Sequence, residues 1–156
     1  MKNEREARIS APGMRVVLLS CALLCLAPAA CDSPKQTYTT NIVDGTVTVD
    51  NAGYRCDTVV IGETLYRPRL EGEFTVSGSG TNPDIRVSVK DGTNYRNWLV
   101  GNDNSSYYYS HEVTEGTISA SLPSMRGDTY YVIYDNRFDP FRDKDVYRRI
   151  DLKYQQ

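Results

Sequence analysis

The chain has 156 residues, 40% of them hydrophobic and 24% charged, with a mean hydropathy of -0.49 and a formal charge of -2. These values bound it to a single ordinary globular domain and exclude a disordered or membrane-embedded chain. Residues 32–156 hold 18 acids against 14 bases, near -4, and no run of Lys and Arg, so the footprint that binding to a phosphate backbone needs is missing and nucleic acid is excluded as a partner.

The first element is a secretion signal. Val16 to Ala30 reads VVLLSCALLCLAPAA, an apolar run preceded by Arg15 and closed by small residues, in the order of charged, apolar and cleavage regions. Fifteen helical residues span about 22 Å, short of a hydrocarbon core of about 30 Å, and Pro28 breaks the helix near its end, which disfavours a permanent spanning anchor. Glu4 and Glu6 suit a positive leading region poorly, whereas Met14-Arg15 opens directly onto the run, so Met14 is an alternative start.

The segment LAPAAC at 26–31 resembles a bacterial lipobox, with Pro28 where that pattern prefers Leu. The resemblance implies that Cys31 carries a diacylglyceryl group after cleavage. Multiple acyl chains would hold the protein firmly in the membrane of a bacterial envelope. Asp32 resembles the inner-membrane retention signal of enterobacterial lipoproteins. The competing reading is cleavage after Ala29 by the A-x-A rule, leaving a secreted or periplasmic protein without lipid. Cys21 and Cys25 leave with the signal, and Cys56 then stands alone, expected as a small core residue with no disulfide.

Residues 32–41 are expected as a flexible tether and 42–156 as the folded domain. Alternation over Leu70 to Val76 and over Ile85 to Val89 marks two clear strands. Further strands are expected at Thr46–Val49, Tyr54–Ile61, Tyr95–Val100, Ser106–Val113, Thr117–Leu122, Thr129–Asp135 and Asp145–Tyr154. In the last of these Val146, Ile150, Leu152 and Tyr154 share a face interrupted by Arg148. Turn formers separate the strands, including Asn51-Ala52-Gly53, Asp91-Gly92 and Arg126-Gly127-Asp128. Eight to nine short strands at this spacing predict an all-β fold, a single antiparallel β-sandwich.

From Leu70 onward, LEGEFTVSGSG, DIRVSVKDGTNYRNW and GTISASLPSMRGDTYYVIYDNRF resemble the Golgi-dynamics (GOLD)-like β-sandwich and related bacterial prepeptidase C-terminal-type domains. Tyr130-Tyr131 and Asn136 occupy the places of that pattern's tyrosine pair and asparagine. The resemblance implies a non-enzymatic binding or accessory role and carries no ligand residue with it.

No catalytic residue, cofactor or metal site is expected. His111 is the only histidine and has no nucleophile turn beside it. Glu71 and Glu73 point to one outward strand face rather than across a cleft. The oxygen-rich clusters Asn102-Asp103-Asn104 and Asp135, Asn136, Asp139, Asp143, Asp145 lack a calcium-loop spacing and read as turn chemistry. The candidate ligand or partner surface is aromatic: Trp98, Tyr107, Tyr108 and Tyr109, with alternation expected to send Tyr108 to the face opposite its neighbours. Rigid amphipathic rings there suit an envelope protein partner or a glycan. The competing reading is core and edge packing.

Overall fold

The computed structural model describes residues 35–62, 64–78, 83–102, 105–123 and 126–156. The signal segment, Cys31, residues 32–34, Asp103 and Asn104 lie outside these. Eight strands and one helix follow in order: β1 (Thr37–Val49), β2 (Tyr54–Val60), β3 (Tyr66–Ser77), β4 (Arg86–Asp91), α1 (Gly92–Leu99), β5 (Tyr108–Tyr109), β6 (Glu115–Ser121), β7 (Thr129–Asp135) and β8 (Lys144–Gln155). They form two antiparallel four-stranded sheets, β1-β8-β3-β6 and β2-β7-β4-β5. The fold is an all-β sandwich.

Alternation accounts for the strands. Along β3, Leu70, Phe74 and Val76 are buried while Arg69, Glu73 and Thr75 are exposed, and β8 repeats the pattern with Val146, Ile150 and Leu152. The second sheet contributes Val59, Val87, Val89, Tyr130, Val132 and Tyr134 to the same core. Arg148 is the interruption. It crosses the sandwich to make two bonds to Asp57 of β2, from Nε to Oδ2 (2.8 Å) and from Nη2 to Oδ1 (2.9 Å), while Tyr134 donates to Asp57 Oδ2 at 3.0 Å.

Three expectations change. The strand expected at Tyr95–Val100 is helix α1. Asp91 caps it, its Oδ1 accepting from the N–H groups of Thr93 (2.9 Å) and Asn94 (2.8 Å). Gly101, at φ +82°, closes it, with Gly101 N–H bonded to Trp98 C=O and Asn102 N–H to Asn97 C=O, a Schellman ending. Tyr95 and Trp98, three apart, thus share one helix face.

From Thr37 on, the segment expected as a tether at 32–41 is strand, since β1 begins there, pairing with Gln155. The polar residues there are held by the backbone ladder and by Tyr38 stacking on Tyr154 at 5.6 Å. The strand expected at Ser106–Val113 contracts to Tyr108–Tyr109 with an isolated Ile85–Val113 bridge.

Asn136 is fully buried and ties the corner after β7. Its N–H bonds Gly53 C=O (2.9 Å), and its Nδ2 donates to the carbonyls of Asp50 (3.1 Å) and Arg142 (2.8 Å). The nearby carboxylates are engaged with protein groups. Asp135 holds Arg137, Asp139 accepts from Phe141 N–H and lies 3.4 Å from buried Lys144, Asp143 accepts from Asn51 N–H, and Asp145 accepts from Thr48.

The buried phenols set an alkaline limit. Burial pushes the Tyr134 and Tyr130 hydroxyls far above the ordinary phenol value, with the charges of Asp57 and Asp128 adding to it. The folded state therefore keeps protons that the unfolded chain releases near pH 10, so this stability is complete below about pH 10 and lost as pH rises further. Each such tyrosine contributes a slope of about 1.4 kcal/mol per pH unit. Urea midpoints measured across this range should fall above about pH 10, and Tyr134→Phe should remove one tyrosine's share of the slope.

Candidate functional site

The outer face of the second sheet is covered by α1. Tyr95 stacks on Tyr131 of β7 at 4.1 Å, and Trp98 meets Tyr54 of β2 edge-on at 4.9 Å. The Tyr95 hydroxyl lies 3.4 Å from that of Tyr54 and 3.9 Å from Cys56 Sγ, and burial, reinforced by those neighbours, pushes its phenol well up. Cys56 is half-buried, on this helix-covered face rather than in the central core.

Trp98 is only 4% exposed. The Arg137 guanidinium lies 3.9 Å over its ring, and Asp135 fixes that guanidinium through two bonds of 2.9 and 3.1 Å. A stack of carboxylate, guanidinium and indole results, in which Arg137 occupies the face that a sugar or partner ring would need. Trp98 is therefore not a free platform.

The three tyrosines separate. Tyr107 meets Tyr130 edge-on at 5.7 Å and donates to Asp91 Oδ2 at 3.1 Å. Burial and that bond to Asp91 raise its phenol. Tyr108 packs against the core, and burial raises its phenol too. Tyr109 remains 48% exposed, with His111 edge-on at 5.3 Å. Alternation between Tyr108 and Tyr109 holds, but Tyr107 precedes the strand and turns to the core as well.

What these elements leave open is a depression of about 200 Å³ walled by Arg86, Ser88, Trp98, Tyr109, Asp135 and Arg137. It is smaller than the usual small-molecule site of about 300 Å³ or more. Arg86 is paired with Glu112, which raises its pKa, and lies 4.6 Å over the Phe138 ring. Comparison with known proteins adds no assignment. No family model and no curated protein matches the chain.

The depression offers hydrogen-bond donors, each guanidinium already held by a carboxylate, beside one exposed phenol. That chemistry recognises a short polar group by exchange of partners; it does not by itself supply an activated nucleophile. Arg86 and Arg137 are not among the candidates that the sequence offers and Asp135 reads there only as turn chemistry, although Asp135 and Arg137, two apart at a strand end, are a local clue to the pair.

Proposed function

We propose that the chain is an exported lipoprotein of a bacterial envelope, anchored through Cys31, whose sandwich binds another envelope protein without catalysing a reaction. The GOLD-like resemblance supports the accessory role, and the signal with its terminal cysteine supports the location. The observation that carries the protein partner is the free edge of β6. Val76 N–H to Thr114 C=O (2.7 Å) and Leu122 N–H to Pro68 C=O (2.9 Å) bracket its ladder with β3. Antiparallel bonding alternates, so the backbone groups of Glu115, Thr117, Ser119 and Ser121 point away from β3.

Such an edge is a template for an added strand unless it is guarded. The other edges are guarded: β1 carries an irregularity between Asn41 and Val43, β2 has Arg55 and Asp57, and β5 has two residues. Only Glu115 is charged on β6, at its start.

Capture from detergent-solubilised envelope with Ser33–Gln156 as bait tests this reading. We expect one protein at stoichiometric yield, lost with Thr117→Lys/Ser119→Lys, whose side chains face solvent. Retention by that variant would overturn the edge assignment. Recovery of polysaccharide alone, abolished by Tyr109→Ala, would replace the protein partner by a glycan. Palmitate labelling of the full chain against Cys31→Ser tests the anchor separately.

A further inference from the structure

The end of the sandwich where β1 starts gathers the beginning of β3, the ends of β6 and β8, and the connection before β7. Lys35, Arg67, Arg69, Arg96 and Arg126 are exposed there, and Lys153 is half-exposed; the described acids of the same half, Glu71, Asp91, Asp128 and Asp151, are all half-buried. Asp91 caps α1, and Glu71 is bonded to Lys153 at 2.6 Å. Those acids are thus partly turned inward, and among the described residues of this end the solvent meets mainly cations. Elsewhere the domain is acidic, as its net charge near -4 requires.

The cations surround an aromatic residue. Tyr66 is 43% exposed, with Lys35 Nζ 3.6 Å from its ring centre and the Arg67 guanidinium at 5.1 Å. Arg67 has φ +51°, an uncommon conformation for a residue with a side chain. It sits in the irregularity of β3 between Tyr66 and Arg69, where the chain turns it outward. Beside it runs a groove of about 520 Å³ whose charged lining is Arg67, Arg69 and Lys153 against Glu71, with Tyr154 along it. Val60, 62% exposed, lies at the end of β2, on the same side of the domain.

The covalent chain supplies the partner. Lys35 is four residues after Cys31, and an extended chain covers at most about 3.6 Å per residue, so an anchor at Cys31 holds Lys35 within about 14 Å of it. We propose that this basic end is a membrane-docking face for anionic phospholipid headgroups, seated by Lys35, Tyr66, Arg67 and Arg126, with the acidic remainder facing away from the bilayer. Bases near an anionic surface and a tyrosine at headgroup level are the chemistry such a surface selects.

The proposal rests on the anchored reading for its setting, but the face can be tested without the lipid. Residues Ser33–Gln156 form one compact unit that contains the whole described core. Binding of this unit to phosphatidylglycerol vesicles at low salt should exceed binding to phosphatidylcholine vesicles. Lys35→Glu/Arg67→Glu/Arg126→Glu should weaken it at least about 100-fold, since loss of the three cations alone is worth about fivefold each. The control Arg55→Glu/Arg142→Glu/Arg149→Glu changes net charge equally at the other half and should weaken it far less. Equal loss in both triples, equal binding to both vesicles, or no binding to anionic vesicles would overturn the docking face. Loss of membrane fractionation in Cys31→Ser with intact vesicle binding would leave both readings standing, whereas palmitate-free full chain with intact vesicle binding would remove the anchor alone.

Discussion

Arg148→Met should lower the unfolding free energy by about 3 kcal/mol, and adding Asp57→Asn should recover at least about half of that loss. The pair joins the two sheets across the core, with side-chain exposures of 11% for Arg148 and 16% for Asp57, so the effect belongs at the lower end of what a broken buried pair costs. Removing the cation leaves a carboxylate between the sheets with Tyr134 as its remaining donor among the described residues. It also leaves the Gly45 carbonyl without the 3.1 Å bond from Arg148 Nη1. The second substitution removes the stranded charge while keeping an oxygen for Tyr134. Urea unfolding of the wild type, both single variants and the double variant measures the coupling. Additive losses would show that the two side chains do not act as a pair.

Gly72→Ala should cost about 3 kcal/mol or more through overpacking, although it adds one carbon. Gly72 lies in β3 opposite Ile150 of β8 and Ile118 of β6, in the middle of the first sheet. A Cβ built there lands on the Arg149 carbonyl oxygen and comes within 2.8 Å of Ile150 Cδ1 and 3.0 Å of Ile150 Cα. Backbone cannot step aside as a side-chain tip can, so the β3–β8 pairing must open. Gly116 is a graded comparison, since the nearest atoms its Cβ would meet all belong to side chains, the Phe74 ring at 2.8 and 2.9 Å and the Tyr108 hydroxyl at 3.5 Å. Gly116→Ala should therefore cost less. Thermal or urea unfolding of the two variants checks the order, and equal effects would refute the distinction between backbone and ring.

The sandwich itself was legible because a strand with one buried face writes that face into every second residue. Leu70, Phe74 and Val76 on β3 and Val146, Ile150 and Leu152 on β8 do so, and Arg148 stands out on the inward face by its charge alone. Helix α1 had local signals as well, in the Asp91 cap and Gly101, but eight residues are too few for a 3.6-residue period to show. The start of β1 at Thr37 had no apolar signal, because it is held through backbone bonds to β8, which are blind to side-chain type.

The aromatic candidates show the same division. Composition and spacing placed Trp98, Tyr107, Tyr108 and Tyr109 near one another, yet their exposure depended on Arg137 arriving over the indole and on Asp91 and Tyr130 receiving Tyr107. Likewise the chain's net negative charge said nothing of a basic end, since Lys35, Arg67, Arg126 and Lys153 are far apart in sequence. The sequence alone determined the periodic and local properties: an apolar run followed by a cysteine, the turns, and the facing of the strands that alternate clearly, such as β3 and β8. Only the tertiary structure decided which distant side chains meet, because strand order and register are set by the joint packing of two sheets and cannot be read within one segment.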